Sequence, residues 1–164
     1  MHRKRVLVAE HNPHLRAIFR TELRDLGFMA VFASSIGEAA RMAKMQRLHL
    51  AIVEVEIDGG EGLNFIRSIR ADPFHGNRRM AIIACSETTS RARIHAARDA
   101  GANAFLLSPF SRAGLSAHVE YAMKDERPFI DAGGFCGPDR RRQRAAPYFG
   151  PERRASTQDL HFVA

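Results

Sequence analysis

Side chains able to bind a cation, move a proton or donate a hydrogen bond follow the ends of four apolar runs. Glu10, His11 and Asn12 come after Val6-Leu7-Val8-Ala9, and Glu54 closes Leu50-Ala51-Ile52-Val53. Ser86 comes shortly after Ala81-Ile82-Ile83-Ala84, and Ser108-Pro109 follows Ala104-Phe105-Leu106-Leu107. Two carboxylates, an imidazole and two hydroxyls would be brought together, and a protonated imidazole could pair with one of the carboxylates. Other constellations are thinner. His11 and His14 stand three residues apart, but His14 belongs on an exposed helical turn, and two histidines do not make a zinc site. Glu56, Asp58 and Glu61 lie in or near a turn and read as surface carboxylates. Cys85 sits inside an apolar run with no catalytic histidine placed beside it, as a buried strand residue does.

The elements that must position these groups alternate between apolar runs and amphipathic segments over residues 1–124, the pattern of a parallel sheet covered by helices on both faces. Pro13 suits a first helical position, Leu15, Ile18, Phe19, Leu23 and Leu26 recur at helical spacing, and Gly27 is a natural stop. A strand Met29–Ala33 leads to Ser35 with Glu38 three residues on, a capping-box pattern that opens a helix over Ile36–Met45. The strand Leu50–Glu54 precedes the turn Asp58-Gly59-Gly60-Glu61-Gly62 and a helix carrying Leu63, Ile66 and Ile69. A strand at 81–84 with a helix at 90–100, and a strand at 104–107 with a helix at 111–124, complete five strand-helix units. In an open parallel sheet ligands sit beyond the carboxyl ends of the strands, so Glu10, His11, Glu54, Ser86 and Ser108 are expected to converge there.

With 164 residues, 45% of them apolar, the chain fits one domain with an appendage. No segment approaches the roughly 20 apolar residues that span a bilayer, so a cytoplasmic protein with free thiols at Cys85 and Cys136 is expected. The formal net charge is +7. Within residues 1–124, 18 basic residues face 12 acids and are spread over several helices, which favours a solvated surface over nucleic-acid binding. Residues 125–164 hold four of the seven prolines and seven arginines with little periodicity, and read as an extended, irregular tail. In it, Phe135-Cys136-Gly137-Pro138-Asp139-Arg140-Arg141 is echoed by Tyr148-Phe149-Gly150-Pro151-Glu152-Arg153-Arg154. The expectation leans toward docking, with aromatic anchors at Phe135, Tyr148 and Phe149 and arginines 140, 141, 153 and 154 engaging a partner; the alternative is that the aromatics fold the tail back.

Val6-Leu7-Val8-Ala9-Glu10-His11-Asn12-Pro13, Glu54 with Gly59-Gly60-Glu61-Gly62-Leu63, Ile82-Ile83-Ala84-Cys85-Ser86, and Ala100-Gly101-Ala102-Asn103-Ala104-Phe105-Leu106-Leu107-Ser108-Pro109-Phe110 occur in this order and spacing over residues 5 to 124. They resemble the successive motifs of response-regulator receiver domains. The resemblance implies a doubly wound α/β fold, a five-stranded parallel sheet of order 2-1-3-4-5, over residues 1–124. It implies a phosphoacceptor aspartate on strand three, an acidic pair that helps to hold magnesium, and a hydroxyl and a lysine that read the acyl phosphate. Carried over, the acceptor falls on Glu54, the acidic pair on Glu10 and His11, the hydroxyl on Ser86, the lysine on Ser108 and the switch aromatic on Phe105. By the same analogy Ser108-Pro109 is a cis bond.

Only Glu10, Ser86 and Phe105 are ordinary variants of that pattern. Glu54 adds a methylene and displaces the nucleophilic oxygen by more than ~1 Å, an error costing on the order of a hundredfold. His11 removes a hard oxygen from a site that magnesium prefers to fill with oxygens, and Ser108 removes a cation that stabilises the phosphoryl group. No cofactor is expected, with magnesium at Glu10, His11 and Glu54 bound weakly at most. Glu10 and Glu54 without a lysine leave negative charge that a protonated His11 can offset; otherwise His11 points to solvent. Glu54 is also long enough to imitate the phosphorylated state by reaching Ser86. The expected function is a phosphorylation-deficient receiver in two-component signalling, without enzymatic turnover. It would bind a histidine kinase or downstream effector through its tail and the face of helix four, strand five and helix five. A homodimer stays open. The alternatives are a receiver phosphorylated on another acid, such as Asp58, and a basic nucleic-acid binder on the same scaffold.

Overall fold

The computed structural model describes residues 3–141. Five parallel strands, β1 (Arg5–Ala9), β2 (Met29–Ala33), β3 (Leu50–Glu54), β4 (Ala81–Ser86) and β5 (Ala104–Leu107), form one sheet in the order β2-β1-β3-β4-β5. The helices are α1 (Pro13–Asp25), α2 (Ile36–Met45), α3 (Gly62–Ala71), α4 (Arg91–Asp99) and α5 (Arg112–Met123), with a turn at Ile57–Gly60 before α3 in which Asp58 and Gly59 take positive φ. The three central strands, β1, β3 and β4, are apolar between their ends because both faces are covered. Leu7, Ala51, Val53, Ile82, Ala84 and Phe105 pack against α2, α3 and α4. Val6, Val8, Leu50, Ile52, Ile83 and Leu106 pack against Phe19 and Leu23 of α1 and Leu115 and Val119 of α5. Neighbouring residues thus serve opposite faces, as period-two strand geometry requires.

Local signals set the helix starts, all of which point toward the carboxyl ends of the strands. The Asn12 side chain accepts from His14 N at 2.9 Å with Pro13 following, Ser35 accepts from Glu38 N at 3.3 Å, and Ser111 accepts from Gly114 N at 3.0 Å. Gly27 ends α1 with φ +84°. Ser108-Pro109 is cis. No helix among the described residues is long and apolar enough to cross a membrane.

The expectation of an irregular tail from residue 125 needs correction over its first stretch. Strands β6 (Phe129–Ala132) and β7 (Phe135–Pro138) form an antiparallel hairpin around Gly133-Gly134, both at positive φ. It is anchored at the amino ends of β4 and β5 by a buried polar cluster. Arg70, 1% exposed, donates to the carbonyls of Gly101 (3.0 Å), Arg78 (2.5 Å) and Met80 (2.8 Å) and to Asn103 Oδ1 (3.0 Å). Asn103 Nδ2 donates to Asp125 (2.8 Å), which pairs with Arg127 at 2.6 Å. Arg78 reaches Asp131 Oδ2 at 2.6 Å and Cys136 Sγ at 2.7 Å. Four-residue strands bury too little to stand alone; this fixed row of donors and acceptors holds them.

Candidate functional site

Three of the five converging residues meet at the carboxyl ends of β1 and β3. Both oxygens of Glu54 are taken by His11: its backbone N–H donates to Oε2 at 2.9 Å, and its ring Nδ1 lies 2.6 Å from Oε1, where it donates to the carboxylate. The same ring nitrogen is 3.6 Å from Glu10 Oε1, which accepts from Asn12 N at 2.9 Å. His11 is therefore in contact with Glu54 rather than turned away into solvent, although the outer part of its ring stays open, the side chain being 62% exposed. Main chain sets this geometry. An added Cβ at Gly62 would lie 2.0 Å from the Glu54 carbonyl oxygen, so α3 can start against the end of β3 only with glycine there.

Burial sets the electrostatics. Glu10 is 2% and Glu54 6% exposed. Desolvation, and then the Glu54 carboxylate beside it, push Glu10 up to about 7 against the pull of the Asn12 N–H. The hydrogen bond to Glu54 raises His11 above the ordinary imidazole value. One ligand atom each from Glu10, His11 and Glu54 lie within 4.8 Å of one another.

The two hydroxyls do not join this group. Ser86 Oγ donates to Glu56 Oε1 at 2.8 Å, an oxygen that also pairs with Arg93 on α4, and accepts from Thr88 N at 3.1 Å. Glu54 reaching Ser86 is thus overturned: the carboxylate is held by His11, and Glu56 takes the serine. Ser108 Oγ lies 3.2 Å from Cys85 Sγ, both residues buried, so the hydroxyl at 108 is engaged by Cys85. That burial pushes the Cys85 thiol up to about 12, which suits a packing residue. Phe105 is 1% exposed and points into the core toward α4.

Glu56 and Asp58 are not idle surface acids. Asp58, at φ +50°, accepts from Ile36 N at 2.7 Å and so fastens the turn after β3 to the start of α2. His14 is exposed and is not among the clustered donors. Sequence reading missed Glu56 with Arg93 because they are 37 positions apart; Glu56 two residues after a strand-end acid was the available signal.

The docking expectation for the tail is corrected at Phe135 and Arg140. Phe135 is 8% exposed, with the Arg140 guanidinium 4.0 Å above its ring, and Arg140 pairs with Asp99 at 2.9 Å. This first element folds back on the domain. Arg141 is exposed, its backbone N–H donating to Asp139. Tyr148, Phe149, Arg153 and Arg154 lie outside the described residues.

Comparisons with known proteins agree with the fold of the five-stranded domain. Residues 6–120 match the response regulator receiver domain. The transcriptional regulatory protein PdtaR of Mycobacterium tuberculosis is 30% identical over 122 residues, 73% of this chain and 57% of that protein, so the chain spans little more than half of that relative. The probable chemotaxis protein CheY of Rhizobium etli is 26% identical over 71% of this chain and 89% of its own length. Among solved structures, the receiver domain of the sensor histidine kinase PA1611 from Pseudomonas aeruginosa, with magnesium coordinated in its active site cleft, is 27% identical with a TM-score of 0.66, covering 74% of this chain and 98% of that one. Chemotaxis protein CheY4 of Vibrio cholerae, 21% identical with a TM-score of 0.68 over 74% of this chain and 99% of its own, shares the fold.

Proposed function

Because the chain belongs to the response regulator receiver domain family, and so to two-component signalling, we propose that it is a receiver whose phosphorylation switch is silenced and which acts by binding other proteins, without turnover. The observation that carries this reading is the double engagement of Glu54 by His11. An acceptor carboxylate needs a free oxygen lone pair aligned with the phosphoryl donor and a cation to neutralise the developing charge. Here both oxygens accept hydrogen bonds from His11, which hold the carboxylate toward that residue and weaken it as a nucleophile, and the group beside it is the chain's own imidazole. The donor set fits magnesium poorly: an imidazole nitrogen stands among the donors, and magnesium favours an octahedral shell of oxygens. Ser108 adds no positive charge and faces Cys85 instead.

The partner surface in this reading is the face of α4, β5 and α5, with a histidine kinase or a downstream effector as the partner class. Ser86 and Arg93 sharing Glu56 tie the end of β4 to α4, which favours one fixed arrangement of that face. Asp58 as a substitute acceptor is disfavoured by its use at the start of α2.

The test is intact mass after incubation with acetyl phosphate and magnesium. The native chain should gain no phosphoryl group, and a Glu54→Asp, His11→Asp, Ser108→Lys triple variant should gain one. Phosphorylation of the native chain sinks the proposal and makes mapping of the modified acid the next step.

A further inference from the structure

Glu10, His11 and Glu54 have a second capacity, separate from phosphoryl chemistry. Their side-chain burial is asymmetric: the carboxylates are 3% and 8% exposed, whereas the imidazole is 62% exposed and forms the outer wall. A cation held at ~2.1 Å keeps neighbouring donors roughly 3.0 to 3.4 Å apart, the chord of an octahedral or tetrahedral angle. The His11 to Glu10 separation of 3.6 Å already lies close to that range, and the His11 to Glu54 separation of 2.6 Å must open by less than ~1 Å. The exposed ring is free to make that movement.

The charges around the site point the same way. Among the described residues, His11 is the one cationic group paired with either carboxylate. Arg16 is nearby, but its guanidinium donates to the Glu10 and His11 carbonyls, both at 2.7 Å. Arg93 is taken by Glu56. Once their protons are released, the two buried carboxylates and the imidazole carry a charge of −2, which one divalent ion cancels.

We propose that Glu10, His11 and Glu54 bind a divalent transition ion of the zinc, cobalt or nickel class in preference to magnesium. An imidazole nitrogen is a good donor to these ions and a poor one to magnesium, and affinity for mixed nitrogen and oxygen sites rises along the series from manganese toward copper, with zinc close behind. The substitution that spoils the site for magnesium thus redirects it to a softer cation. Bound metal takes the Glu54 oxygen that His11 now holds, so loading replaces an internal ion pair with coordination.

The experiment titrates the full chain with cobalt(II), followed by visible absorption, and with zinc against a chromophoric chelator; magnesium is titrated in parallel. The native chain should bind one cobalt ion with no sulfur charge-transfer band, and bind zinc far more tightly than magnesium. His11→Ala should weaken zinc at least tenfold, since losing even an outer partner of a ligand costs about 10- to 100-fold. His14→Ala should leave it unchanged, and His11→Asp should raise magnesium affinity while lowering zinc affinity. Circular dichroism checks that each variant is folded. Equal zinc affinity in the native chain and His11→Ala, a sulfur band, no cobalt signal, or magnesium bound as well as zinc would each overturn the assignment. The acetyl phosphate measurement reads the silenced switch separately, so the two proposals fail independently.

Discussion

The two ends of the sheet bury polar groups in opposite ways. At the amino end the Arg70 guanidinium makes four hydrogen bonds to three carbonyls and Asn103, and its charge is answered at one remove by Asp125. Burial still pulls Arg70 down to about 10, but its donors are used, and the cluster ties two chain segments together. At the carboxyl end two buried carboxylates share one half-exposed imidazole, and one of them is pushed up to about 7. The amino end spends its polar groups on architecture. The carboxyl end keeps donors in surplus, and a surplus of negative charge near solvent is what a cation or a proton can act on.

The largest effect should come from breaking the satisfied end. Arg70→Ala takes the guanidinium donors from three carbonyls and from Asn103 Oδ1 in a buried setting, and should cost about 3–5 kcal/mol in urea denaturation. A loss below about 1 kcal/mol would mean that the cluster is decorative and the contrast false.

Next comes pH, which should act through the unsatisfied end. The folded chain holds the Glu10 proton up to about 7, whereas the unfolded chain releases it near 4.5. Between those values the native state binds more protons, so stability falls as pH rises, by on the order of 2–3 kcal/mol across the window. His11 adds in the same direction: its pairing with Glu54 contributes fully below 6.5 and is lost as pH rises through its raised folded value. Glu10→Gln should flatten most of that slope, and an unchanged slope in this variant would move the titration elsewhere.

Smaller changes test whether the ends are independent. A Cβ at Gly137 would lie 2.7 Å from Gly101 Cα and 3.1 Å from Phe135 Cζ, so Gly137→Ala should cost about 1–2 kcal/mol by overpacking the hairpin. Hydrogen exchange should quicken in β6 and β7 and stay unchanged in β1 and β3. Smallest is Arg140→Ala, which removes an exposed pair with Asp99 and the contact over Phe135, at about 1 kcal/mol or less.

How much of this was legible in the sequence follows the same division. The strand-helix units were readable because their signals are local: β2, β3 and α2 fall where period and capping residues put them, and Pro13 and Gly27 mark the ends of α1. The meeting of Glu10, His11 and Glu54 was also readable, since parallel topology brings strand ends together. The partners of Ser86 and Ser108 were not, because a hydroxyl takes whichever acceptor its rotamer reaches, and Glu56 and Cys85 stood as near as the pocket. The hairpin was missed despite Gly133-Gly134, a recognised turn signal, because its stability comes from Arg70, Arg78 and Asn103, far away in sequence, the Arg78–Cys136 contact alone spanning 58 positions. Arg70 stands four positions after Ile66, on the apolar stripe of α3, and that placement gave the hint of a buried partner.

The close approach of Gly62 to the Glu54 carbonyl has a consequence for descent. With no room for a side chain at 62, the main chain at 54 has little freedom to drift, whatever residue it carries. The site's chemistry can then change by exchanging side chains on a fixed frame. Under the metal assignment proposed above, single-codon steps at positions 11 and 54 would move a lineage between one cation preference and another on that same frame.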